Sequence, residues 1–171
     1  MITKINIMKK LILLLTIILA SCSAPHEGSG YWLGNEDETF INASNEYLET
    51  YKNWIQAHND KDIDAVLSYE TEDVRLDLSS GTVISGAEAH REGLSNYFES
   101  NPEWNLYWAL PYVGVTEGEV WIIAGQVVTT DDSRVQRMID AQFTDGKISR
   151  VIVYDKTPPP PTEEVSDEEA T

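Results

Sequence analysis

The sequence predicts an α+β domain in which three helices pack on one curved antiparallel sheet. Two observations carry that expectation. Apolar residues recur at three- and four-residue spacings in the first half of the domain, and the pattern becomes extended from about position 104 onward. The later, extended part also falls into four runs joined by connections of two or three residues, the pattern of an antiparallel meander.

Positions 39–58 set Phe40, Tyr47, Leu48, Tyr51, Trp54 and Ile55 on a single stripe, which predicts an amphipathic helix ended by Asn59-Asp60-Lys61-Asp62. A short helix over 63–69 follows, with Asp62 placed to accept hydrogen bonds from the free amides of its first turn. Strand patterns over 74–78 and 82–85 flank the turn Ser79-Ser80-Gly81. Gly86-Ala87-Glu88 opens a third helix, whose Ala89, Gly93, Leu94, Tyr97 and Phe98 share a face, and Asn101-Pro102 stops it. The extended runs cover 104–115, 119–130, 134–144 and 147–154. They are divided by Glu117-Gly118, Asp131-Asp132-Ser133 and Asp145-Gly146.

The N-terminus reads as an export signal. Lys9 and Lys10 precede an apolar run over 11–20, too short for a stable membrane span, and the run ends in Leu19-Ala20-Ser21-Cys22. Small residues directly before the only cysteine of the chain resemble the lipobox of bacterial lipoproteins. The resemblance implies a diacylglyceryl group on the Cys22 sulfur, cleavage after residue 21 and palmitate on the mature protein. Ser23 differs from the aspartate that retains lipoproteins in the inner membrane of enteric bacteria. The expected location is therefore the cell membrane or outer membrane, lipid-anchored and exposed outside the cytoplasm.

Cleavage there would remove Lys4, Lys9 and Lys10, three of the 12 basic residues, and none of the 29 acidic ones, leaving a net charge of −20. Such a charge repels nucleic acid and anionic headgroups, so nucleic-acid binding is excluded and the lipid must supply the membrane attachment. With its sole cysteine lipidated, the fold must do without disulfides. Residues 22–35, rich in Ser and Gly, read as a tether with a reach of about 20 Å. Residues 157–171, four prolines and then an acidic stretch without aromatics, read as an unfolded tail. One domain over 36–156 remains.

The order helix, Asn-Asp-Lys-Asp turn, helix, strand, Gly81-x-x-x-x-Gly86, helix and a meander closing on Asp145-Gly146-Lys147-Ile148 resembles the nuclear transport factor 2-like superfamily, which includes SnoaL-like cyclases and ketosteroid isomerases. The resemblance implies a cone, a bent sheet closed by helices around an apolar pocket. Aligned with the isomerases, Asp77 falls at the position of the general base. Asp140, in Met138-Ile139-Asp140, falls near a second carboxylic acid that stays protonated and donates to an oxyanion. The tyrosine of their first helix falls on Asn53.

The residues themselves leave alternatives open. Asp77 either faces a pocket or forms an ion pair with Arg75 on its own strand face, and Asp140, between Ile139 and Ala141, faces either pocket or solvent. Tyr51, Trp54, Tyr97, Phe98, Trp104, Trp108 and Trp121 either line a ligand site or form ordinary core. His26, His58 and His90 show neither metal-ligand spacing nor an acidic partner at such spacing, and the acid clusters lack calcium-loop spacing, so no metal and no other cofactor is expected. Three function classes follow. The first is a module binding a small apolar ligand; the second is an isomerase, dehydratase or cyclase using Asp77 as base. The third is a docking module whose cone is plugged by bulky side chains. A homodimer through the sheet is compatible with each.

Overall fold

The computed structural model describes residues 40–156, so the signal segment, Cys22, the tether and the tail lie outside the described residues. The compact unit that carries the fold begins at Asn42. Helix α1 (Asn45–Asn59) opens at Ser44, whose hydroxyl accepts the Glu46 amide at 3.3 Å. It starts later than position 39 because Asn42 is held in extended backbone opposite Tyr112, and the Ala43 amide donates to the Pro111 carbonyl at 3.1 Å. The following turn passes through Lys61 at φ 58. Helix α2 (Ile63–Ser68) is capped by the Asp62 carboxylate, which accepts the Ala65 amide at 3.0 Å.

Strands β1 (Glu70–Asp77) and β2 (Val83–Ser85) form the first hairpin, and α3 (Ala87–Tyr97) leaves from Gly86 at φ 87, a conformation suited to a residue without Cβ. The meander comprises β3 (Glu103–Val113), β4 (Val120–Thr129), β5 (Arg134–Thr144) and β6 (Lys147–Lys156). Asp145 and Gly146, at φ 51 and 77, make the β5–β6 turn of the kind Asp-Gly favours.

All six strands join one curved sheet in the order β2-β1-β6-β5-β4-β3, bearing out the α+β architecture. Four neighbouring pairs are antiparallel. The fifth, β1 with β6, is parallel, as a long crossover through α3 and the meander permits.

The core lies between the helices and one sheet face. Tyr51, Trp54 and Ile55 of α1, Val66 of α2 and Leu94 of α3 meet Ile122, Ile139, Ala141, Phe143, Ile148 and Val151 of the strands. Each large side chain so buried favours folding by about 1.5–3 kcal/mol over leaving it exposed. The alternation that aims Ile139 and Ala141 inward sends Met138, Asp140 and Gln142 to the opposite face, where polar groups and exposed apolar groups mix.

Candidate functional site

A cavity of about 340 Å³ lies inside the helix-covered face of the sheet. Trp54 and His58, four residues apart on α1, form its floor, while His90, Gly93, Leu94 and Tyr97 present one face of α3 to it. The first hairpin contributes Leu76, Leu78 and Ile84, and the meander contributes Trp104, Arg137, Ile139 and Val153. The walls are largely apolar, with a few polar groups converging on them.

Those polar groups are held from behind. Glu70, 2% exposed at the start of β1, accepts the Trp54 indole N–H on Oε1 at 2.7 Å and meets His90 Nδ1 through Oε2 at 2.8 Å. The contact ties the His90 ring to the buried carboxylate and fixes its orientation. His58 Nδ1 donates to the Trp54 carbonyl at 2.8 Å, and its ring stacks on Trp104 with centroids 4.5 Å apart. Burial pushes the His58 imidazole down to about 3, so it stays neutral. The two imidazole centroids lie 6.4 Å apart.

At the other end of the cavity, the Arg137 guanidinium grips Asp155 through Nε at 2.7 Å and Nη2 at 2.9 Å, and sits 5.2 Å from the Trp104 ring centroid. Ser79 Oγ also donates to Asp155, at 2.9 Å. The Tyr97 hydroxyl accepts the Trp104 indole N–H at 3.0 Å, and Arg137 lines the same cavity.

The three residues placed at catalytic positions by resemblance are not gathered here. Asp77 is the clearest correction: Val74 and Leu76 of β1 point inward, so Arg75 and Asp77 point outward. There the Asp77 carboxylate takes Arg75 Nη2 at 2.6 Å and Arg150 Nε at 2.9 Å. The Arg75 hydrogen bond, with help from Arg150, holds its carboxyl below the usual range. Asp140 likewise lies on the outer face, where burial among the strand side chains raises its carboxyl and a hydrogen bond from Tyr154 opposes the rise. Asn53 is exposed on α1, on the solvent side of the buried Trp54.

The aromatic set divides three ways. Trp54, Tyr97 and Trp104 line the cavity, whereas Tyr51 is core, fully buried, with its hydroxyl pushed up by burial and without a hydrogen-bond partner. Phe98 follows α3 and packs edge-on to His58 at 6.1 Å. Trp108 leaves the site for a physical reason the sequence does not display. A bulge after Leu106 inserts one residue into β3 and inverts the alternation, so Trp108 pairs with Gly125 on the outer face and is 42% exposed. A Cβ on Gly125 would collide with its indole ring. Trp121 is also outward, donating to Glu119 Oε1 at 2.7 Å.

Glu70, His58, His90 and Arg137 are the site residues that sequence spacing missed. Among the described residues no group of three or more His, Cys, Asp or Glu side chains is arranged to hold a metal.

No protein-family model and no curated protein matches the sequence. Solved structures do. A putative ketosteroid isomerase from Kribbella flavida aligns with a TM-score of 0.58 at 18% identity, covering 76% of this chain and 93% of its own. An NTF-2 like protein of unknown function from Burkholderia xenovorans aligns at 0.55 and 17% identity, over 69% of this chain and 88% of its own. The Orange Carotenoid Protein of Anabaena, in a structure binding canthaxanthin, aligns at 0.55 and 20% identity over 70% of this chain and 38% of its own. At such identities the likeness concerns the fold, which is nuclear transport factor 2-like.

Proposed function

We propose that this chain is a lipid-anchored protein of the cell envelope whose domain binds a small, largely apolar molecule. The cavity carries the reading. At about 340 Å³ it has the size of a small-molecule site, with apolar walls and convergent polar groups at His90, Tyr97 and Arg137. Its openness supports binding over docking, because a docking module would have bulky side chains in that space. A protein of the same fold that holds canthaxanthin is in keeping with an apolar occupant. The envelope location rests on the sequence, on the run over 11–20 ending at Cys22.

The outer sheet face supports self-association. Leu110 and Met138 are 59% and 43% exposed there, beside Trp108 and Tyr154. Sedimentation of the soluble domain should show a dimer that Leu110→Glu with Met138→Glu converts to monomer.

Calorimetric titration with a compact apolar ketone, 1-indanone, tests the binding reading. Saturable binding to the wild-type domain is expected, together with its loss in Gly93→Leu. The added side chain enters the cavity beside Ile84, where even a Cβ would lie 3.3 Å from the Ile84 Cδ1. Equal binding by the two proteins would place the site elsewhere.

A further inference from the structure

A groove of about 350 Å³ lies on the outer face of the sheet, over β3 to β6. It is built on one cross-strand row, in which Trp108 pairs with Gly125, Gly125 with Met138 and Met138 with Tyr154. Alternation turns all four to the same face. Gly125 gives the groove its depth, because any side chain there would collide with the Trp108 indole, which packs against the glycine instead. Trp108, Met138 and Tyr154 stay exposed around that floor, and the bulge in β3 sets Tyr107 beside them.

Such walls favour one kind of chain. Grooves lined by tryptophan and tyrosine receive polyproline II segments, whose rings stack on the aromatic faces and whose stiffness keeps the entropic cost of docking low. This helix forms no internal hydrogen bonds, so its carbonyls need donors from outside. Gln136 and Lys156, at the margin of the groove, can supply an amide and an ammonium.

The sequence puts a chain of that kind beside the groove. Lys156, the last residue of β6, pairs with Gln136, and Thr157 alone separates it from Pro158-Pro159-Pro160-Pro161. Crossing from β6 to β3 takes three strand spacings, about 14 Å in all. Four residues of polyproline II rise about 12 Å. The short connection also keeps the effective concentration of the run high, so docking requires little intrinsic affinity.

We infer that the groove holds the chain's own Pro158–Pro161 run, laid as a polyproline II segment from β6 toward β3 with proline rings on Tyr154 and Trp108. Docking there covers an aromatic row that would otherwise form an exposed apolar patch. Leu110 and Ile123 pair one row further along the same face, outside the groove, so the self-association proposed above and the docked run are compatible.

The test compares the soluble chain over 23–171 with a variant carrying Pro158→Ser, Pro159→Ser, Pro160→Ser and Pro161→Ser, both followed by two-dimensional NMR. The Trp108 indole N–H signal should move between the two proteins, while those of Trp54 and Trp104, inside the fold, keep their positions. The move should be the same at every protein concentration. In the unsubstituted chain the ring protons of at least one of the four prolines should be shifted upfield by the indole ring current, and Trp108→Ala should abolish that shift. A Trp108 signal identical in both proteins, or prolines unaffected by Trp108→Ala, would show that the run lies elsewhere and overturn the inference. A difference that grows with protein concentration would assign the groove to a second copy of the chain and overturn it equally.

Discussion

Asp77 and Arg150, 73 positions apart in the chain, meet across the parallel β1–β6 pair with Nε 2.9 Å from Oδ2, on the sheet face opposite the cavity. With Arg75 on the other oxygen, the Asp77 carboxylate is committed to an arginine clamp at the surface. Asp77→Asn should therefore leave ketone binding unchanged within twofold. Both arginines are more than a third exposed, so the stability lost at neutral pH should stay below about 1 kcal/mol. Its folded carboxyl is lowered, so the contribution is present above the ordinary carboxylate value and disappears as pH falls through the lowered one. Urea unfolding of both proteins at neutral and strongly acidic pH checks magnitude and sign; abolished binding would put Asp77 back in the site.

Trp54 and Glu70 supply a second test. Trp54→Phe keeps an aromatic ring but removes the N–H on Glu70 Oε1, leaving a buried carboxylate short of a partner. A loss of about 1–3 kcal/mol in urea unfolding is expected. A change within error would mean that the hydrogen bond is replaceable by water.

His58 gives the folded domain a pH dependence of predictable sign. Its imidazole is lowered from 6.5 to about 3 by burial, so the unfolded chain binds a proton that the folded one rejects between those values. The stability it supports is complete above 6.5 and is lost as pH falls toward 3. Its own share of the slope approaches about 1.4 kcal/mol per pH unit within that window. His58→Gln should flatten the stability–pH curve there; an unchanged slope would show that other groups carry it.

The anchor is tested at its thiol. Cys22→Ser should abolish incorporation of radiolabelled palmitate and leave unprocessed precursor. Continued labelling of the variant would rule out Cys22 as the lipid site.

What the sequence made legible follows the range of the interactions involved. Asp62 as helix cap and Asp145-Gly146 as hairpin turn are set by backbone a few residues away, and both form as their residue types predict. The face of Asp77 was legible too, since Val74 and Leu76 flank Arg75 in strict alternation, yet alignment to the isomerases pointed the other way. Trp108 was not legible, because one bulged residue in β3 reverses the parity on which any reading of that strand depends. Glu70 and His90 come from separate elements, and Glu70 stands in the acidic stretch Glu70-Thr71-Glu72-Asp73, where composition argues for solvent. A weak signal existed at His90, which precedes Leu94 by four residues and Tyr97 by seven. A histidine on the apolar stripe of a helix needs a buried partner.

Entry of a small apolar molecule into the helix-covered cavity is read most directly from the tryptophan indole N–H resonances of the folded domain. Trp54 and Trp104 line the cavity, whereas Trp108 and Trp121 lie on the outer face. On titration with 1-indanone, two-dimensional NMR should show the Trp54 and Trp104 indole signals moving along one saturable curve while those of Trp108 and Trp121 stay in place. Movement confined to Trp108 and Trp121 would locate the ligand on the outer sheet face and contradict the central claim.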